Sequence, residues 1–229
     1  MELDAAVVAS KNYKTVLEND RVRALKISYE AFEKGPMHSH PDGVFVGLME
    51  MNGTFTYPDG SSDDIWTPAG MAAYFPAVTH QAEGKIAHRF EGYFIELKDP
   101  VDGSALDSHA SPAPKEGAPG TGTGWNDSAR VALDPVVVAG KQYQVVTDND
   151  RVRVLRILYG PFEHGTMHAH PDSVLATLTE MNGTFRYPDG KAEEVVVPAG
   201  EVMYLPATTH APENKTPNRF EGFLVELKR

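Results

Sequence analysis

A chain of 229 residues is long enough for one large β domain or two domains of about a hundred residues each, and its 41% hydrophobic and 23% charged content excludes both wholesale disorder and a fibrous repeat. The formal charge of −11 repels phosphate backbones and anionic bilayers, so nucleic acid and membrane are not expected partners. With no cysteine, disulfides, thiolate zinc sites and cysteine nucleophiles drop out, and any metal must use His, Asp or Glu. No window approaches the roughly 18 apolar residues of a bilayer span. The opening Met1-Glu2-Leu3-Asp4 also lacks the features of a secretory signal, so a cytoplasmic protein is expected.

The chain matches itself at an offset of 130 residues without a gap. Leu3-Asp4 returns as Leu133-Asp134, Asn19-Asp20-Arg21-Val22-Arg23 as Asn149-Asp150-Arg151-Val152-Arg153, and Arg89-Phe90-Glu91-Gly92 as Arg219-Phe220-Glu221-Gly222. The copies should share one fold. Two domains are expected, 1–98 and 132–229, joined over 99–131 by a linker too rich in Pro, Gly, Ser and Ala to bury a core.

Taken in chain order, Val22 to Tyr29 alternates in part and reads as a strand. Met37-His38-Ser39-His40 follows, then Val44 to Met51 as a second strand candidate. Met51-Asn52-Gly53-Thr54 carries the Asn-Gly pair of a type I′ hairpin, and Tyr57-Pro58-Asp59-Gly60 offers another turn. A turn over Phe75-Pro76-Ala77-Val78-Thr79 sets His80 near the start of a further strand. No stretch of useful length shows a helical apolar stripe. The expected fold class is all-β, as two jelly-roll-like barrels or sandwiches.

Six of the nine histidines fall on corresponding positions: His38, His40 and His80 in the first copy, His168, His170 and His210 in the second. On a strand, residues two apart project from one face with Cα atoms about 7 Å apart, which one cation can bridge. A lone His-x-His is usually just solvated; the doubled triplet favours metal binding. His88, His109 and His164 have no histidine counterpart and read as ordinary surface residues.

At these residues the chain resembles the cupin superfamily, and its duplication makes it similar to a bicupin. Gly35-Pro36-Met37-His38-Ser39-His40 with Gly53, then Gly70, Pro76 and His80, follow the two cupin motifs; Gly165, His168, His170, Gly183, Gly200, Pro206 and His210 repeat them. Asn214 matches the final Asn of the second motif, where the first copy has Gly84. One departure stands out: the family's usual carboxylate ligand is missing from Gly43-Val44-Phe45-Val46-Gly47 and from Ser173-Val174-Leu175-Ala176-Thr177. Asp42 and Asp172 follow prolines in turns and are not expected to replace it, and Glu50 and Glu180 sit at the distal hairpin end.

Three neutral imidazoles leave a divalent ion its full charge, favouring anionic ligands, and leave neighbouring positions open for an organic donor and dioxygen. The resemblance implies a divalent transition metal, Fe2+ first, with Zn2+, Ni2+ or Mn2+ also compatible. Some cupins with three His and no Glu are dioxygenases using non-haem iron. The expectation is therefore a metal-dependent bicupin of dioxygenase type acting on a small organic molecule. A non-catalytic binding or sensing module and an oxygen-independent isomerase or hydrolase stay open, as does a homo-oligomer. The sister copies are expected to pair as an intramolecular pseudo-dimer. Tyr57, Tyr74, Tyr187 and Tyr204 are candidate proton donors, although a barrel tyrosine is more often a core residue with a satisfied hydroxyl, and Arg89 and Arg219 can pair with Glu91 and Glu221. After the His pair, Phe45, Gly47 and Met49 become Leu175, Thr177 and Thr179; the alternation puts these differences on one face, lining two different pockets or meeting different neighbours.

Overall fold

The strongest apolar runs form the longest strands. In the computed structural model, which describes residues 3–98 and 132–228, β2 (Val22–Tyr29) pairs antiparallel with β9 (Phe90–Leu97) from Val22 opposite Leu97 to Tyr29 opposite Phe90. With β1 (Tyr13–Glu18), β4 (Gly43–Gly47) and β7 (Met71–Phe75) they make a five-stranded sheet in the order β1-β2-β9-β4-β7. A four-stranded sheet, β3-β8-β5-β6, is built from β3 (His38–His40), β5 (Met51–Thr56), β6 (Ser62–Thr67) and β8 (Val78–Gly84). Leu25, Ile27, Phe45, Phe90 and Phe94, all from the five-stranded sheet, are buried together in the core of the first unit. Because every pairing is antiparallel, each strand can bury one face and wet the other, which is the alternation the sequence carries.

The second unit repeats this design with β10 (Tyr143–Asp148), β11 (Val152–Tyr159), β12 (His168–His170), β13 (Ser173–Thr177), β14 (Met181–Arg186), β15 (Ala192–Val197), β16 (Val202–Leu205), β17 (Thr208–Asn214) and β18 (Phe220–Leu227). Its sheets run β10-β11-β18-β13-β16 and β12-β17-β14-β15. Each unit opens on one helical turn, α1 (Ala5–Val8) and α2 (Pro135–Val138), capped by Asp4 and Asp134. The chain is all-β and divides into two compact units. The expected linker over 99–131 lies outside the described residues. No helix among the described residues is long and apolar enough to cross a membrane.

One local expectation is overturned. Asn52-Gly53 and Asn182-Gly183 are not hairpin turns; they lie inside β5 and β14. Gly53 is pinned between Ile65 on one side and Gly84 on the other, and a Cβ placed there would sit 2.6 Å from the Glu83 carbonyl oxygen. The glycine serves a close approach of backbones, so its dipeptide imitates a turn signal. The reversal falls instead at Tyr57-Pro58-Asp59-Gly60, closed by Gly60 at φ 85°. The single strand expected from Val44 to Met51 is accordingly two, β4 and β5, separated at Leu48-Met49-Glu50. Gly53→Ala should lower stability by about 1–3 kcal/mol through this clash. A shifted urea midpoint at constant m-value would show it, and an unchanged midpoint would refute the steric reading.

Candidate metal centre

Period-two geometry brings His38 and His40 onto one face of β3, and the register of β3 with β8 puts His80 directly opposite His38. Ser39, between them, points the other way and hydrogen-bonds to Thr79 across 2.8 Å. β12 and β17 arrange His168, His170 and His210 in the same manner. All six rings are buried, and in each triad one nitrogen per ring lies within 4.8 Å of the other two. The structure thus brings together all six histidines singled out from the sequence, in two groups of three.

Hydrogen bonding fixes how the rings face. The Nδ1–H of His38 donates to the Pro36 carbonyl (2.9 Å) and that of His168 to the Thr166 carbonyl (2.7 Å). His40 donates from Nδ1 to Glu96 Oε1 (2.9 Å), and His170 to Glu226 Oε1 (2.8 Å). Carbonyls and carboxylates only accept, so the Nδ1 of these four rings carries the proton and Nε2 presents a bare lone pair to the centre. His38 Nε2 and His80 Nε2 face each other at 3.1 Å. In the second centre His168 Nε2 and both nitrogens of His210 are buried with no hydrogen-bond partner. Each such orphan costs about 1–3 kcal/mol, and a shared cation satisfies several at once. The residues therefore fit a divalent metal.

Behind the ligands stands a network that sequence reasoning missed. Glu96 and Glu226, only 2% and 0% exposed, accept from His40 and His170 with one oxygen and, with the other, from the Nε of Arg23 and Arg153, each at 2.5 Å. Arg23 also pairs with Asp4 (2.9 Å) and Arg153 with Asp134 (2.6 Å). A signal existed: Phe94-Ile95-Glu96-Leu97 and Leu224-Val225-Glu226-Leu227 each hold a carboxylate inside an apolar strand, at the same place in both copies. Tyr13 was missed as well; its ring lies 4.6 Å from that of His38, centroid to centroid, as Tyr143 lies 4.7 Å from His168. Burial pushes both phenols well above their ordinary range, so they stay neutral. A Cβ at Gly35, three residues before His38, would sit 2.6 Å from the hydroxyl of Tyr29, so the position suits glycine.

Burial, reinforced by neighbouring imidazoles, lowers His38 to about 4, His80 and His168 to about 3, and His210 well below its usual value. Unfolded, these rings titrate near the ordinary value of about 6.5. As pH falls below that, the unfolded chain takes up protons the folded one refuses, and stability drops by about 1.4 kcal/mol per pH unit for each ring. The metal-free protein should therefore melt at a constant temperature from pH 8 to 7 and progressively lower from pH 6.5 to 5, before the carboxylates titrate. A flat profile over the lower window would contradict neutral, buried imidazoles.

Of the remaining candidates, Tyr57 lines the first cavity and donates to Asp63 (3.0 Å). Tyr187, half-buried like it, donates to Glu193 (2.8 Å), and Tyr74 donates to Asp42 (3.0 Å). Tyr204 lies in β16 opposite Val174. Asp172 accepts from the Ala207 amide, and Glu50 from the Trp66 indole. Arg89 and Arg219 pair with Glu91 (2.7 Å) and Glu221 (2.8 Å). His164 is exposed beside Glu213, His109 lies outside the described residues, and His88, read as a surface residue, also lines a cavity. Of the residues that differ between copies after the His pair, Phe45 and Leu175 line the two cavities, whereas the Thr177 hydroxyl bonds to the backbone around Pro198 and Glu201.

Each centre opens into a cavity within its own unit. The first, of about 210 Å³, is bordered by His40 and His80; the second, of about 50 Å³, by His170 and His210.

No family model and no curated protein matches the chain. Solved structures do. A cupin 2 conserved barrel domain protein from Leptotrichia buccalis superposes with a TM-score of 0.51 at 15% identity, over 94% of this chain and 88% of that one. An oxalate decarboxylase variant from Bacillus subtilis gives 0.59 at 14% identity, over 94% and 72%. A salicylate 1,2-dioxygenase variant from Pseudoaminobacter salicylatoxidans gives 0.52 at 14%, over 90% and 71%. The likeness is one of fold: the chain carries two tandem cupin-type barrels, and the two triads together with that fold support a divalent metal.

Proposed function

We propose that this tandem cupin is a metal-dependent enzyme of dioxygenase type acting on a small organic molecule, with one centre in each of the domains 1–98 and 132–229. The observation that carries the reading is the pair of buried His triads, each with one ring nitrogen per histidine within 4.8 Å of the other two, beside a cavity. A divalent transition ion held by His38, His40 and His80, or by His168, His170 and His210, supplies open positions at which an organic donor and dioxygen can meet; Fe2+ suits this best. The chain's own residues do the rest. Glu96 and Glu226 hold His40 and His170 in the ligating tautomer, and the phenyl rings of Phe45, Phe55 and Phe94 keep bulk water away from the first centre. The occurrence of a salicylate dioxygenase on the same fold supports the reading.

A second reading, a binding module without turnover, is favoured by one observation. The carboxylate nearest each centre is already engaged twice, by His and by Arg, and the nearest phenol stays protonated, so proton transfer has no evident agent. Protein purified without chelator or affinity tag, analysed for metals by plasma mass spectrometry and then for oxygen uptake with thiols, diketones and catechols, separates the two. Metal with oxygen uptake is the expected result. Metal without uptake selects the binding module, turnover under nitrogen selects an isomerase or hydrolase, and protein that cannot be loaded with metal overturns both readings.

A further inference from the structure

The two centres share their ligands but not their surroundings. An apolar cavity of about 150 Å³ is enough to admit a benzene ring, whereas one water accounts for about 30 Å³. The first cavity, at about 210 Å³, passes that threshold and the second, at about 50 Å³, falls far below it. Wall bulk runs the wrong way to explain this: Phe45, Phe75 and Phe94 line the larger cavity, and Leu175, Leu205 and Leu224 the smaller.

The two units differ at the ends of β8 and β17. Pro212 and Asn214 stand where the first unit has Ala82 and Gly84. Asn214 Nδ2 donates to the carbonyls of Gly160 and Asn218, both at 2.8 Å, and its Oδ1 accepts from the backbone and hydroxyl of Thr216 at 3.1 and 3.0 Å. That knot draws residues 214–218 against residue 160. Gly84 has no side chain with which to tie it, and the matching segment leaves Ile86 and His88 as cavity wall. Behind the Leu175 wall, Met203, in place of Ala73, packs against the second core. The first cavity is lined by aromatic and aliphatic groups with no lysine or arginine among the described residues; its carboxylates Glu30 and Glu83 are paired with Arg89 and Lys34. A charge set against that wall, away from the His triad, would be desolvated without a lysine or arginine to meet it.

We propose that the first centre alone takes an organic ligand, an apolar molecule the size of one substituted ring, seated beside His40 and His80, and that the second centre holds its metal with no room for such a molecule. This rests on the metal-dependent reading above and adds a ligand class and a division between the halves to it.

The probe is 4-fluorophenol, titrated by ¹⁹F NMR into metal-loaded and metal-free protein, with metal content measured on the same samples. One probe molecule per chain is expected. Ala82→Pro with Gly84→Asn, which copies the second unit into the first, should weaken binding about tenfold or more. Pro212→Ala with Asn214→Gly should raise the stoichiometry to two. The Gly84→Asn half of the first exchange is sterically open: a Cβ at Gly84 meets nothing nearer than 3.6 Å, and the two carbonyl acceptors of the knot are backbone groups. Should the proline variant not fold, Gly84→Asn alone carries the test. No probe binding, two molecules bound per wild-type chain, or undiminished binding in the narrowed variant overturns the proposal while leaving a metal-loaded protein, and so the functional reading, intact. Wild type that takes up no metal overturns the functional reading, and the titration of the metal-free protein still decides which cavity accepts the ring.

Discussion

Glu226→Ala should destabilise the second unit by about 3–5 kcal/mol, the range expected when one partner of a buried charge pair is deleted. Glu226 is fully buried, and both of its oxygens are spoken for: one by the Nδ1–H of His170 at 2.8 Å, the other by the Nε–H of Arg153 at 2.5 Å. Deletion removes the carboxylate at the Nε of a guanidinium that is itself buried and that also pairs with Asp134 at 2.6 Å. It also frees the His170 ring to turn. Glu226→Gln separates the two effects. The amide keeps the volume and can still accept from His170, but its NH₂ then confronts the Arg153 donor, so some destabilisation remains. Second-sphere changes of this kind weaken metal affinity by about 10–100-fold, and a competition titration with a chromogenic chelator would read it. A Glu226→Ala protein that melts like wild type would show that the network is ornamental.

His80→Ala should reduce the metal content from two ions per chain, one for each triad, to one. Each triad offers three imidazoles and no carboxylate to an ion, so the loss of one would leave two imidazoles on a short strand, His38 and His40, and a gap opposite. The second triad is built wholly from its own unit and should keep its ion. Stability follows occupancy. A ligand present at a thousandfold excess over its dissociation constant stabilises the fold by about 4 kcal/mol, so metal should raise the melting transition of the wild type in both units and of the variant in only one. Two ions retained in His80→Ala would exclude the triad as the binding site.

How these centres were and were not legible follows from the distances along the chain. His38 and His40 declare themselves because a period of two acts between near neighbours, and His80 because a second copy repeats the spacing. Strand β2 was readable from its own apolar alternation. Asn52-Gly53 misled for the converse reason: turn chemistry is local, whereas the demand on Gly53 comes from Glu83 in another strand. Arg23 and Glu96 sit directly across from each other in the sheet yet 73 positions apart in sequence, so nothing short of the register shows that they meet. Of the difference between the cavities the sequence carries the Asn214 and Gly84 positions and the exchange of Phe45 for Leu175, but not its sense, since Asn214 acts by fastening backbone groups whose positions no side-chain pattern records.

The carboxylate missing from the ligand set reappears one bond further out. Glu96, Arg23 and Asp4 carry two negative charges and one positive, so the group behind His40 is a net anion held against the imidazole through its Nδ1–H. Such a partner raises the basicity of the ligating nitrogen without occupying a position on the ion. The all-histidine centre is thereby more electron-rich than its three ligands alone suggest.

Asp4 does a second duty, as the cap of the opening helical turn, and the Ser39 amide, between the two ligands of β3, donates to the Leu3 carbonyl at 2.7 Å; Asp134, Leu133 and Ala169 repeat this in the other half. Anyone excising the halves for separate expression meets the consequence at the scissors. A cut that leaves residue 133 and its neighbour on the wrong fragment would untie a histidine far downstream, and a purification handle spliced too tightly against Leu3 would do the same at the other front edge.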